Sequence, residues 1–481
     1  MRDFLEEIKD KILIYDGSKG YMLQKFGLKG SECPELWNLA HSDIVKRIHK
    51  MYKEAGSDVI QTNTFSGNRL YLEKYNLGDK VHELNYQGAK LAKEVMGNDG
   101  FVAGAAGPTG ELLEPAGSLS FDMAYNVYKE QVVALVDGGA DVINFETFTD
   151  VAEMRAALLA AKENVSVPVI CSLSFEQNGR TIMGTDPETA VVILKSLGAG
   201  MVGTNCSFGP ELMLGIVKQM YSAGAGYLSV KPNAGLPEIV DDIPVYCETP
   251  NKFAEAAAQY IKYDARLIGG CCGTTPEYIQ AIKGEIEKKD KIVNELVCKT
   301  KESTIKTSNN ILKDDTDFSM KIASSTQIVD LNELNAKKIG NLFLGKDRYF
   351  FKQIRDGNME IVAEAALDAS SENYSAVYIN FDNIFKNNEL EISSEHNENT
   401  IAKNITNTIQ GYLKLPFIIE TSNSAILEEI LRVYAGRAGV ILGKNDNDII
   451  NHGINLKFDT KYMENIVKKY GAVLLKMQMS N

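Results

Sequence analysis

The chain has 481 residues, 44% of them hydrophobic, which is enough for two or three domains with sizeable cores. Its net charge of -13, with no concentrated basic run, argues against nucleic acid as the partner, because phosphate backbones are held by clustered Lys and Arg; a small molecule fits better. The charged opening MRDFLEEIKDKILIYDG lacks the apolar centre of a signal peptide, and no run approaches the roughly 20 apolar residues of a membrane span, so a cytoplasmic location with no membrane partner is expected.

Between residues 12 and 273 one pattern recurs: a short β-branched apolar run, a small or polar residue at its end, a loop, and an amphipathic helix. The candidate strands are ILIYDGS (12–18), DVIQTNTF (58–65), FVAGAAGP (101–108), DVINFETF (141–148), PVICSLSF (168–175), MVGTNCSF (201–208), YLSVKPNAG (227–235) and RLIGGCCG (266–273). Helical text such as HSDIVKRIHKMYKEAG, DVAEMRAALLAAKEN and NKFAEAAAQYIKYDA lies between them, with Asp, Ser or His near the starts and Gly or Asn near the ends. The eight strand-helix units predict a (β/α)8 TIM barrel over residues 1–286. A doubly wound open sheet is the competitor, but it would carry an early phosphate-binding glycine fingerprint, which the text lacks.

Residues 287–318 are polar and without pattern, and read as a linker. A smaller α/β domain follows over 319–481, with strands at 376–383, 416–423, 438–446 and 472–481 and a possible earlier one at 341–345. The acidic, Asn-rich stretch NNELEISSEHNENT reads as a solvated loop.

The chemistry is expected at the C-terminal ends of the barrel strands, which converge on one mouth. Those ends carry Asp16, Asn63, Thr64, Glu146, Ser172, Ser174, Cys206, Lys231, Asn233, Cys271 and Cys272. Adjacent cysteines form a strained disulfide, so Cys271 and Cys272 read as metal ligands, as redox thiols, or as core residues. The absence of a CxxC spacing weighs against redox thiols. Convergence with Cys206 favours metal: three thiolates with one open position suit a catalytic zinc, whereas a closed structural site supplies four ligands. A soft three-sulfur zinc would take a substrate thiol as its fourth ligand and hold it deprotonated. Glu146 is then the candidate for a substrate ammonium group, and the turn DGSKG, with Asp16 and Gly17, for its carboxylate, which together describe an amino-acid thiol. Asn63, Thr64 and Asn233 are further candidates, with loop anchoring as the competing reading. Cys171 reads as core and Cys33, Cys247 and Cys298 as incidental thiols, while His41, His49, His82, His396 and His452 read as solvent-exposed.

These residues resemble the zinc-dependent homocysteine S-methyltransferases. The likeness spans about residues 5–285 and rests on DGSKGYMLQ, PELWNLAHSDIV, QTNTFSGNRLYLEKY, GPTGELLEP, INFETFTDVAEMRAAL, GTNCSFGPE, KPNAGLP and GGCCGTTPEYI. It implies a barrel in which Cys206, Cys271 and Cys272 bind zinc, homocysteine completes the coordination, Glu146 meets its amino group, and the Asp16 turn contributes to substrate binding. One departure is DGSKGY, since relatives often have Met or Ala-Met before the glycine. The second domain resembles the first half of the pterin-binding barrel that follows the homocysteine module in cobalamin-dependent methionine synthases, with Tyr378 and Glu420 where that family places Asp. The chain stops halfway round such a barrel, as a truncation or, the reading favoured here, as a degenerate form that dimerises or docks a carrier. The resemblance therefore implies methyl transfer to homocysteine from a methylcorrinoid (methylcobalamin) on a separate protein, because the text contains no DxHxxG-type cobalamin motif. The alternatives are S-methylmethionine or another small donor, a different thiol or selenol acceptor, and a non-catalytic zinc-thiol binding module.

Overall fold

The computed structural model describes residues 3–240, 243–246, 248–299, 320–334, 336–385, 397–442 and 460–475. Cys247, His396, His452 and most of the acidic insert lie outside the described residues, as does the side chain of Cys298. Two compact units emerge: Met1–Glu111 with Ser120–Met183 and Ala199–Thr316, and Leu112–Leu119 with Gly184–Gly198 and Asp317–Asn481.

The first unit contains a parallel barrel of eight strands: β1 (Leu13–Ile14), β2 (Val59–Gln61), β3 (Phe101–Ala106), β4 (Val142–Phe148), β5 (Val169–Leu173), β6 (Met201–Asn205), β7 (Leu228–Lys231) and, after an antiparallel hairpin of β8 (Pro237–Val240) and β9 (Ile243–Tyr246), β10 (Ala265–Ile268). The sheet order is β1-β10-β7-β6-β5-β4-β3-β2. A bridge between Tyr15 and Val59 links the two ends, where Asp58 N donates to Ile14 O at 2.8 Å and Asp16 N to Val59 O at 3.1 Å. Each expected strand is present and shorter than its text; at β2, β6 and β10 the C-terminal residues, Thr62 to Phe65, Cys206 to Phe208 and Gly269 to Gly273, leave the ladder for the mouth loops, whereas β4 runs to Phe148 as expected. The hairpin was not anticipated.

Local chemistry starts the helices between the strands. Asp150 accepts from Ala152 N to cap the helix Val151–Asn164, and Ser120 accepts from Met123 N to cap Phe121–Asp137. Pro210 and Pro276 each occupy the first position of a helix, where the missing N–H costs nothing. At the other end of the strands, Leu13, Val59, Phe101, Val142 and Met201 are first residues and form one buried cluster with Phe4 and Ile8 of the helix Phe4–Asp10. That apolar plug fills the N-terminal end and leaves the opposite mouth to polar groups.

Two expectations are corrected. The helix beginning at Pro276 runs to Lys299, so residues 287–299 of the expected linker are helical and not patternless. His49 is buried, not exposed, because it shares one face of the helix Ser42–Glu54 with Val45, Ile48 and Tyr52; burial, followed by the nearby Lys19 charge, lowers its pKa well below the usual value.

The second unit is a five-stranded parallel sheet in the order β13 (Ile339–Asn341), β14 (Ala376–Asn380), β15 (Phe417–Thr421), β16 (Gly439–Leu442), β17 (Val473–Leu474), with an antiparallel pair β11 (Lys321–Ala323) and β12 (Ile328–Asp330). At its strand ends Tyr378 donates to Glu420, Asn380 Nδ2 donates to Tyr378 Oη at 3.0 Å, and Asp382 accepts from Ser422 N at 2.8 Å. Among the described residues, no helix is long and apolar enough to cross a membrane.

Tyr52 ties the loops after β1 and β10 together: its hydroxyl lies 2.8 Å from Thr274 O and 3.0 Å from Ser18 O and donates to them. Tyr52→Phe removes the hydroxyl that joins the two loops, leaving Thr274 O only its bond from Ser18 N, and should destabilise the barrel by about 1 kcal/mol. A urea titration followed by circular dichroism reads this as a lower midpoint, and an unchanged midpoint would contradict it.

Candidate functional site

Cys206 directly follows β6, and Cys271 and Cys272 lie in the loop after β10. Their sulfurs all fall within 4.8 Å of one another, with Cys206 Sγ and Cys272 Sγ 3.8 Å apart. A tetrahedral zinc with Zn–S near 2.3 Å spaces its sulfurs about 3.8 Å apart, so donor type and spacing both fit that ion. The backbone holds this arrangement against local preference. Cys206 and Ser207 have φ of 64° and 63°, the left-handed region that non-glycine residues avoid. Cys206 N donates to Lys231 O at 3.0 Å and Phe208 N to Cys206 O at 2.7 Å, which keeps the turn. On the opposite loop, Cys271 N donates to Pro232 O at 2.8 Å and Cys272 N to Asn233 Oδ1 at 3.1 Å. Gly273, at φ 78°, has no room for a side chain: a Cβ there would lie 2.3 Å from the Tyr246 ring.

A cavity of about 370 Å³ opens beside the sulfurs. Of the expected substrate residues, Asp16 (through its turn), Gly17, Asn63, Thr64 and Glu146 gather around it, whereas Asn233 is buried behind Cys272 and serves that loop. Asn63 and Thr64 line the cavity, yet their side chains are committed to loops: Asn63 Nδ2 donates to Pro34 O at 2.8 Å and Thr64 Oγ1 to Ala105 O at 2.8 Å. A Cβ on Gly17 would come within 2.6 Å of Thr274 O, so that position needs glycine for close loop contact.

Two acids of this mouth, Glu146 on the cavity wall and Asp16 buried beside it, have partners that sequence reasoning missed. Glu146 accepts from Lys231 Nζ, from Gln61 Nε2 and, at 3.0 Å, from Asn144 Nδ2; Lys231 also donates to Gln61 Oε1 at 2.7 Å and lies 4.3 Å from the Tyr15 ring centroid. Asp16 accepts from Lys19 Nζ and, at 2.9 Å, from Gln61 N. Burial raises the Asp16 carboxyl above its ordinary value and lowers the Lys19 ammonium, each opposed by the charge of the other. Gln61 thus joins both ion pairs. The residue after Glu146, Thr147, has φ 65°, and the register between β4 and β5 shifts there. Asn205 holds the distortion, its Oδ1 accepting from Thr147 N and its Nδ2 donating to Thr147 Oγ1, both at 2.8 Å. Such a shift re-aims a side chain, here Glu146. A Lys inside a glycine turn and a Gln at an inward strand end were the available signals for Lys19 and Gln61; nothing local marked Asn205 or Tyr246.

The homocysteine S-methyltransferase family description matches residues 13–286. The chain belongs to this family. It is 31% identical over 306 residues to a methionine synthase of Mycobacterium leprae, an alignment covering 60% of this chain and 25% of the relative. A methionine synthase of Mycobacterium tuberculosis is 32% identical over 302 residues, covering 59% and 25%. The chain thus spans about a quarter of the length of these relatives. Among solved structures, the metallated form of the homocysteine methyltransferase MmuM from Escherichia coli is 21% identical with a TM-score of 0.50, covering 58% of this chain and 98% of that one, a likeness of barrel fold.

Without a metal, the three clustered thiols all have raised pKa values. For Cys206, a bond with Cys271 lowers the pKa, but the bond with Cys272 and burial outweigh it and push the thiol up to about 11. Cys272 is lowered by Cys206 but pushed up to about 12 by Cys271 and burial. A raised pKa means less thiolate at a given pH: at pH 8 roughly one Cys206 in a thousand would be ionised. Iodoacetamide labelling of metal-free protein, followed by mass spectrometry, should therefore be slow at Cys206 and accelerate about tenfold per pH unit from 8 to 10. Rapid labelling at pH 8 would contradict the raised values.

Proposed function

We propose that this chain methylates homocysteine to methionine at the barrel mouth, with Cys206, Cys271 and Cys272 holding zinc. The observation that carries the reading is the 3.8 Å separation of Cys206 and Cys272 sulfurs beside a cavity lined by Glu146, in a barrel of this family. Bound there, zinc supplies the Lewis acidity that keeps a substrate thiol deprotonated at neutral pH. Glu146 and Asp16 offer carboxylates to the substrate ammonium, with Gln61 fixing the distance between them. Asn233 and Asn205 orient the cysteine loops, and Asn63 and Thr64 hold the facing rim rigid. The new S–C bond forms as the donor's bond to the methyl group breaks, and the cavity fixes the direction of that displacement.

Cys272→Ala should abolish stoichiometric zinc binding and methionine formation together, since two thiolates form a far weaker site. Zinc analysis of purified protein checks the first and a methionine assay the second. Full zinc retention would remove Cys272 from the ligand set.

The proposed donor is a methylcorrinoid presented from outside the two described units. Identities of 31% and 32% to methionine synthases support this. The second unit is then a docking module, for a carrier or a second copy, more than a pterin site, because Tyr378 and Glu420 satisfy each other at its strand ends. Activity and partners fit a cytoplasmic enzyme. With purified protein and homocysteine, methionine should form with methylcobalamin or a methylated corrinoid protein; formation from S-methylmethionine with no corrinoid would overturn the donor assignment.

A further inference from the structure

The Lys19 side chain is 9% exposed, lines the cavity, and pairs with Asp16. We propose that Lys19 is a specificity residue that binds the substrate's α-carboxylate, so that the site selects amino-acid thiols over simple aminothiols. The inference rests on the homocysteine reading above and deepens it.

The two buried lysines of the mouth are not equivalent. Lys231 is enclosed by Glu146, Gln61 Oε1 and the Tyr15 ring, with its side chain 3% exposed. Lys19 Nζ has one hydrogen-bond acceptor among the described residues, Asp16 Oδ2, and otherwise lies 4.6 Å from the Tyr52 ring centroid. An ammonium carries three donors, so Lys19 keeps hydrogen-bonding capacity beside the cavity. Two backbone donors of the turn around it are already engaged. Ser18 N already donates to Thr274 O at 3.0 Å, and Tyr21 N to Ser18 Oγ at 3.3 Å. A zwitterion docking here alternates charge with the site: its ammonium meets Asp16 and Glu146, and its carboxylate meets Lys19.

The test is calorimetric titration of the zinc-loaded protein with homocysteine and with 3-aminopropane-1-thiol, which lacks only the carboxylate. Wild type should bind homocysteine about 10- to 100-fold more tightly, the range expected for one charged hydrogen-bonded contact. Lys19→Met should lose most of that ratio by weakening homocysteine alone, and Lys19→Arg should restore part of it. A merely structural role for Lys19 would weaken both thiols alike. Equal affinity for the two thiols in wild type, or an unchanged ratio in Lys19→Met, overturns the assignment while leaving the homocysteine reading intact. Failure of both thiols to bind wild type overturns that reading and this inference with it.

Discussion

The 3.8 Å between Cys206 Sγ and Cys272 Sγ joins residues 66 positions apart, and it exists only because β6 and β10 both flank β7. Each cysteine sits in a loop tied to the segment that continues β7: Cys206 N bonds Lys231 O, Cys271 N bonds Pro232 O, and Cys272 N bonds Asn233 Oδ1. Residues 231 to 233 therefore act as a template for both halves of the thiol cluster. The positive φ at Cys206 and Ser207 costs conformational energy that isolated peptides would not sustain, and the closed barrel supplies the constraint that holds it.

The same mouth buries two ion pairs, Asp16 with Lys19 and Glu146 with Lys231. Taking such charges from water is expensive, and the attraction within each pair offsets it only where further hydrogen bonds complete the geometry. Gln61 provides them, donating from its backbone to Asp16 and from its side chain to Glu146, and accepting from Lys231. The apolar cluster at the opposite end of the barrel makes this tolerable, since one end is built for stability and the other for binding. A pre-formed charged mouth also lowers the reorganisation needed when a charged ligand enters, because its charges are already held in place.

In the second unit the parallel sheet again presents polar side chains at its strand ends, but they close on one another. Tyr378 donates to Glu420, and Asp382 is taken by Thr421 Oγ1 and Ser422 N. Parallel strand ends thus lead to different chemistry in the two units: in the barrel Glu146 shares a cavity with thiols, while in the five-stranded sheet the acids are taken up by neighbouring side chains and loops.

The order of strands and helices, the eightfold repeat and the thiol cluster were legible in the text, because period-2 and period-3.6 patterns are local and a parallel barrel sends every strand end to one place. Asp16 and Glu146 were legible for the same reason, as acids at the ends of apolar runs. What surrounds them was not. The pairing of Glu146 with a lysine 85 residues away, the bridging by Gln61, and the bond from Asn205 to a strained Thr147 58 residues earlier depend on which strands become neighbours once the sheet closes. Asn233 read from its position as either a substrate contact or a loop anchor, and its Oδ1 accepts from Cys272 N. His49 read as exposed from its polar type, although the helix face it shares with Val45 and Tyr52 turns inward. The sequence by itself determined which groups reach the mouth; the tertiary structure alone decided their partners, because hydrogen bonds and ion pairs are set by distances across the closed barrel, which local periodicity does not encode.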